Sequence, residues 1–301
     1  MKDFNGKAAV VTGAGSGFGR EFARAGAALG MKLVLADVQQ DALDGTVREI
    51  EALGAEAIAR RVDVSRSEEV EALADAAFSR FGAVHLLFNN AGVGGSGGLL
   101  WEGSVRDWQW TLGVNLWGVL HGVRAFVPRM LAEARQDPAY RGHIVNTASM
   151  AGLVNAPMMG SYNVSKHAVV SLSETLFQDL MLASEQVRCS VLCPYFVPTG
   201  ITHSERNRPA ELTDPGSLTR SQQVAKAMNE KAVSSSRVSA EQIAQMTFDA
   251  IRDERFYIYS HPHRLAGVES RMTDLLAARN PADPLAAQPE VRAALEKAAR
   301  G

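Results

Sequence analysis

The sequence predicts an α/β protein in which one doubly wound, parallel, seven-stranded sheet carries helices on both faces. Three observations predict it. Short β-branched runs alternate with longer helical patterns, a glycine-rich turn joins the first run to the first helix, and an acidic residue closes the second run. With 301 residues, 46% of them hydrophobic, the chain can bury a large core without disulfides or metals. The formal net charge of −2 shows no basic surplus, so neither a nucleic acid nor an anionic membrane is the expected partner. That leaves small molecules as the ligand class. The two cysteines, Cys189 and Cys193, sit close together in an apolar run and suit a reducing compartment. The start, Met1-Lys2-Asp3-Phe4, lacks a signal-peptide core and no apolar run reaches the roughly 20 residues of a membrane span, so a cytoplasmic protein is expected.

Strands are expected at Lys7 to Thr12, Lys32 to Asp37, Ala55 to Val62, Val84 to Asn89, His143 to Thr147, Arg188 to Cys193 and Phe256 to Tyr259. The helical patterns between them run Gly17 to Leu29, Gln39 to Leu53, Ser67 to Phe81, Trp108 to Ala134, Ser161 to Leu182 and Ala240 to Arg252. Ser65 and Glu68 form an S-x-x-E capping pattern ahead of the third helix. Two stretches break the alternation. Residues 200–236 are polar and punctuated by Pro209, Pro215 and Gly216, with a helix expected at Gln222 to Lys231; their position suits a lid. Residues 1–262 therefore read as one domain. Residues 263–301 read as an extension with a short charged helix at Glu290 to Arg300, laid on a partner subunit or on the surface.

In Thr12-Gly13-Ala14-Gly15-Ser16-Gly17-Phe18-Gly19 the backbone N–H groups at a helix N-terminus face outward, as phosphate binding requires. The spacing of Gly13, Gly17 and Gly19 is G-x-x-x-G-x-G, which departs from the common G-x-G-x-x-G fingerprint of Rossmann-type dinucleotide sites. Asp37 then stands where a carboxylate can accept hydrogen bonds from both hydroxyls of an adenosine ribose. A 2′-phosphate there would meet a like charge. Ala14, Ser16 and Val38 supply no cation to offset it, so NAD is expected in preference to NADP.

Tyr162 and Lys166 lie at i and i+4 of one helix and share a face. A phenol that titrates near pH 10 exchanges protons poorly with an alcohol at neutral pH, and a neighbouring ammonium lowers that value. Ser149 follows the fifth strand and Asn90 and Gly92 follow the fourth, so both strands deliver polar groups to one edge of the sheet. Asn115, isolated among Val114, Leu116 and Trp117, needs hydrogen-bond partners if it is buried. His203, His261, His263 and the cysteines lack zinc-type spacing, and no metal is expected.

Taken in this order from Lys7 to Tyr259, these motifs resemble the short-chain dehydrogenase/reductase family, in the branch with the TGxxxGxG turn and the YxxxK pair. The resemblance implies an NAD(P)-dependent enzyme that interconverts a secondary alcohol and a ketone. It implies Tyr162 as general acid/base, Lys166 as the residue that tunes it and binds the nicotinamide ribose, Ser149 as the group orienting the substrate oxygen, and Asn115 as holder of a relay water. Asp63 and Val64 match the adenine-contacting pair, and Asn90 and Gly92 match positions along the adenine ribose. Ser16 and Phe18 fall within the phosphate turn. A homotetramer or dimer is implied, with the helices at 108–134 and 161–182 as interface candidates.

One stretch departs from the family pattern. Pro194-Tyr195-Phe196-Val197-Pro198-Thr199 has tyrosine where the family usually has glycine, while Val197 and Thr199 keep the positions that face the carboxamide. Tyr195 either lines the substrate pocket or packs under the lid. Val93, Met150, Leu153, Met158 and Phe196 are the other expected pocket walls, and their apolar character favours a bulky or aromatic substrate. The same scaffold can also serve as an epimerase, dehydratase or enoyl reductase, or as an NAD sensor without turnover. The four-residue step from Tyr162 to Lys166 and the retention of all four polar residues favour alcohol and ketone chemistry.

Overall fold

Strands β1 (Ala8–Thr12), β2 (Lys32–Asp37), β3 (Ala57–Arg61), β4 (Leu86–Asn89), β5 (Gly142–Thr147), β6 (Val187–Cys193) and β7 (Tyr257–Tyr259) form one sheet in the order β3-β2-β1-β4-β5-β6-β7. All pairs are parallel; Val10, for example, aligns with Val34 on one side and Leu87 on the other. Central strands such as β1 and β4 are buried along their whole length, which is why they read as continuous apolar runs without alternation. The computed structural model describes residues 1–300.

Three helices lie among the first three strands: α1 (Gly17–Ala28), α2 (Gln40–Ala52) and α3 (Ser67–Phe81). Next come α4 (Val105–Leu112), α5 (Gly118–Gln136) and α6 (Gly160–Ala183), then α7 (Arg220–Ser234), α8 (Ala240–Arg252), α9 (Ala266–Leu276) and α10 (Pro289–Ala299). One face of the sheet packs on α1, α2 and α8, where Phe22 stacks on Phe88 at 4.4 Å between ring centroids and Phe248 closes the layer. The opposite face buries Val10, Val34 and Leu87 against Leu73, Phe126 and Leu176 of α3, α5 and α6. None of the described helices is long and apolar enough to cross a membrane.

Four expectations need correction. The helix expected at Trp108 to Ala134 is α4, a π-helical turn at Gly113–Trp117 and α5, with Gly118 N–H reaching back five residues to the Gly113 carbonyl. The capping box at Ser65 and Glu68 does not form, because the Ser65 hydroxyl turns to Asp63 Oδ1 at 2.7 Å and Glu69 reaches back to the Asp63 N–H at 2.7 Å. The lid helix is longer than expected, with Thr219 and Gln222 capping its start reciprocally. The extension holds a helix that was not expected, α9, while α10 lies on α7 of the same chain, burying Leu295 and Ala298.

The sheet order reverses between β1 and β4, and the crevice outside the carboxyl ends of the strands at such a switch point is where open α/β sheets hold ligands. Here that crevice is roofed by residues 200–236 and by the extension.

Candidate active site

The crevice is a single cleft of about 2150 Å³ that runs from Asp37 past Tyr162 to the extension. Ordinary small-molecule pockets measure roughly 300–1,000 Å³, so this one has room for a dinucleotide and a bulky second ligand together.

At one end the turn after β1 follows from glycine's missing side chain. A Cβ on Gly19 would stand 2.0 Å from the Gly13 carbonyl oxygen, and one on Gly13 would stand 2.8 Å from Ala91 Cα. Gly19 is therefore a packing residue beneath the turn and does not line the cleft, whereas Gly13, Ser16, Gly17 and Phe18 do. Gly17 faces Thr199 across the opening, and Val197 lies beside it on the same wall. Asp37 is held by the Gly15 N–H at 2.9 Å on one oxygen and the Gln39 N–H at 2.9 Å on the other. Asp63, Val64, Asn90 and Gly92 complete this half. Asn90 is pinned by three bonds to Thr12 and Thr147, which sets the end of β4 against β1 and β5. A glycine cradle at a helix N-terminus with a carboxylate beyond β2 fits the phosphates and ribose of a dinucleotide.

Further along, α6 delivers Tyr162, partly buried, to the cleft wall and Lys166 beneath it, 2% exposed. The Lys166 ammonium donates to the Thr147 carbonyl at 2.9 Å and lies 5.6 Å from the Tyr162 ring centre. Burial brings Lys166 down from 10.5 to about 8, partly opposed by the Cys193 thiol beside it. Burial also raises the Tyr162 phenol, and hydrogen bonding with the Ser149 hydroxyl draws it back down. The direct lowering of the phenol by Lys166 expected from the spacing is thus not the leading influence on this side chain. Ser149, just past β5, accepts the Ala151 N–H at 3.1 Å and donates to the Pro194 carbonyl at 3.3 Å.

Asn115 is fully buried in the π turn and absent from the cleft wall. Its Oδ1 accepts the Val93 N–H at 2.8 Å, and its Nδ2 donates to the Val93 carbonyl and to Ser165 Oγ, both at 3.0 Å. Both ends of the amide are engaged, and the side chain ties the loop after β4 to α6. Ser165 in turn donates to the Tyr162 carbonyl at 2.8 Å.

Val93, Met150, Met158, Tyr195 and Phe196 line the cleft as expected. Leu153 does not; it turns into the core formed with Val169, Val170 and Cys193, and Val154 takes its place on the wall. Met158 adopts a left-handed backbone at φ 61°, a strained conformation for a side-chain-bearing residue that aims the segment before α6 at the cleft. The Tyr195 ring lies edge-on to Phe196 at 4.7 Å on the cleft wall and also packs against the core cluster beneath it.

Three groups carried no readable sequence signal. Asp107 and Arg208 form an ion pair of 2.6 Å, with side chains 2% and 5% exposed. The same carboxylate accepts the Ser96 N–H and hydroxyl, and its other oxygen accepts Ser161 Oγ next to Tyr162. Arg208 also stacks 4.2 Å above Trp110, fastening the near limb of the lid. Arg206 crosses from the lid to Gln39 at 3.3 Å while donating to the Gly200 and His203 carbonyls. These pairings join residues 101 to 167 positions apart and are visible only in three dimensions.

The short chain dehydrogenase family profile matches residues 7–210. The chain belongs to that family. A short-chain dehydrogenase/reductase from Burkholderia phymatum, solved in complex with NAD, is 56% identical with a TM-score of 0.92 over 95% of this chain and all of its own. The CLA biosynthesis dehydrogenase/reductase of Lactiplantibacillus plantarum is 36% identical over 90% of this chain and 94% of its own. The cyclohexanol dehydrogenase of an Acinetobacter species is 35% identical over 74% of this chain and 86% of its own. This short-chain dehydrogenase is an oxidoreductase that interconverts secondary alcohols and ketones, and its fold is one that takes NAD or NADP.

Proposed function

We propose that this short-chain dehydrogenase uses NAD and acts on a bulky, largely apolar secondary alcohol or its ketone, with Tyr162 as general acid/base. The observation that carries the reading is the placement of the Tyr162 side chain in the wall of the cleft, alongside Ser149 on the same wall and backed by the buried Lys166 ammonium. Ser149 and Tyr162 together can hold a substrate oxygen, and Tyr162 takes its proton in oxidation and returns it in reduction. Lys166, fixed by Thr147, stabilises the phenolate that oxidation needs and can reach the hydroxyls of a nicotinamide ribose. The bound nicotinamide supplies or accepts the hydride at its C4. Asn115 keeps α6 and the loop after β4 in register, and Val197 and Thr199 face the carboxamide end.

NADH formation with a panel of secondary alcohols tests this reading. In Tyr162→Phe turnover falls on the order of 10²-fold or more, while calorimetric titration shows nucleotide affinity within about twofold of the parent. Unimpaired turnover in this variant overturns the proposal.

The preference for NAD rests on Asp37, whose carboxylate faces the site of a 2′-phosphate, and on the engagement of Arg206 with neutral carbonyl groups. kcat/KM with NAD is expected to exceed that with NADP by roughly 10²-fold, which corresponds to the cost of leaving one charge unpaired. A homo-oligomer, tetramer or dimer, is supported by Trp117 and Val164, apolar residues exposed on the helical layer at the two interface candidates. Light scattering on the purified protein checks it.

A further inference from the structure

Beyond Tyr162 the cleft has two characters. Its inner walls are apolar, formed by Val154, Met158, Met159, Phe196 and Met228. Its outer end carries five cations without an ion-pair partner. Among the described residues that line this end, Lys226, Lys231, Arg237, Arg264 and Arg271 have no carboxylate within 4.0 Å. The acids beside them sit in ion pairs with other arginines: Glu205 and Asp214 share Arg208 with Asp107, Asp274 pairs with Arg279, and Asp283 with Arg292. Glu102 takes hydroxyl donors from Thr219 and Ser221, and Glu290 is the one acid there without a partner.

Arg264 stands out among these cations because it is seated. Its guanidinium lies 5.0 Å from the Tyr195 ring centre, and the same ring meets His261 edge-on at 5.6 Å. His261 in turn meets His263 at 5.6 Å and bonds Ser260 Oγ at 2.7 Å. Ser260 Oγ also accepts the Tyr195 N–H at 2.9 Å, so the loops leaving β6 and β7 are stitched together under the arginine. A guanidinium stacked on an aromatic face keeps its N–H edge free for a planar anion.

We propose that Arg264, seated on Tyr195 beside His261 and His263, receives a carboxylate carried by the substrate, which is a hydroxy or oxo acid with an apolar body between its two functional groups. This deepens the dehydrogenase reading and rests on it. The apolar walls hold the body, Tyr162 meets the carbinol, and Arg264 with its unpaired neighbours meets the acid.

The test uses the NAD-loaded enzyme with 9-hydroxydecanoate and 4-(1-hydroxyethyl)benzoate, each beside its methyl ester, and with cyclohexanol as a neutral control. For at least one pair the acid is expected to exceed the ester about tenfold or more in kcat/KM, as a charge-assisted hydrogen bond provides. Arg264→Met should remove that preference, chiefly through KM, and leave the ester and cyclohexanol within about twofold; Arg264→Lys should retain part of it. Raising ionic strength from about 0.05 to about 0.5 M should weaken the acid alone. Calorimetry with decanoate, which cannot react, reads the same contact without turnover: its affinity for the NAD-loaded protein should fall about tenfold in Arg264→Met. Equal use of acids and esters by the parent enzyme, equal losses for both in Arg264→Met, or unchanged decanoate binding overturns the proposal. Failure of the dehydrogenase reading is distinguishable, since it would abolish NADH formation from cyclohexanol as well, while the decanoate titration would still report on Arg264.

Discussion

At the scale of single residues, the buried Lys166 sets function against stability. An unfolded lysine keeps its proton up to about pH 10.5, whereas the folded site releases it near 8. Between those values the unfolded chain binds more protons, so this residue's contribution to stability rises with pH through that window and is least favourable below it. Replacing Lys166 with Met removes a charge held in a dry site. At pH 7 the variant is expected to be more stable by about 1–3 kcal/mol, less whatever the lost bond to the Thr147 carbonyl takes away. The advantage should shrink between pH 8 and 10, and alcohol oxidation should be lost. Urea denaturation at the two pH values, beside an NADH assay, checks both halves. Residues of this kind were legible because Tyr162 and Lys166 sit four apart on one helix. Leu153 and Val154 show the limit of such reading: both come after Ser149, and nothing in the string says which of two adjacent aliphatic residues turns into the core. Asp107 and Arg208 carry no local pattern, since their meaning is the pairing itself.

At the scale of elements, the turn between β1 and α1 works because α1 passes against its own entry loop. The Gly13 carbonyl occupies the space that a Cβ on residue 19 would need. Gly19→Ala is therefore expected to displace the turn, lower stability by about 1–3 kcal/mol and weaken NAD binding at least tenfold. Thermal unfolding and nucleotide titration measure the two effects separately. Strand positions were readable to within two residues or so because buried parallel strands need unbroken apolar runs. The π turn was not, because Gly113–Trp117 is helical in composition and the inserted residue changes only the phase of the helix downstream of it. That phase brings Asn115 to Val93 and Ser165. Helix α9 escaped although Leu265, Val268, Met272 and Leu275 recur at helical spacing; the stripe is largely exposed, and of the eleven helical residues only Asp274 is buried.

At the scale of the molecule, the roof is a two-storey structure in which α10 rests on α7 and α7 covers the cleft. Ending the chain after Gln288 removes the upper storey while sparing every residue placed in the dinucleotide half. The expected result is a several-fold higher KM for bulky alcohols, faster amide exchange in α7 and an unchanged affinity for NAD. Exchange mass spectrometry with steady-state kinetics would show it. An effect on NAD affinity equal to that on KM would mean that the two halves are coupled through the roof, with Arg206 and Gln39 as the connecting pair.

The order of parts along the chain also has a consequence in time. The residues assigned to the dinucleotide lie between Gly13 and Thr199, whereas most of the cover comes from the last hundred residues. A ribosome adding about 5–20 residues per second needs roughly 5–20 s to make that last third. During that interval the emerging chain already carries its phosphate cradle but has no enclosed place for an alcohol. Alteration of the late-made roof can thus change what is enclosed without touching the phosphate turn, whereas alteration of α8, whose Phe248 closes the core beside α1, cannot.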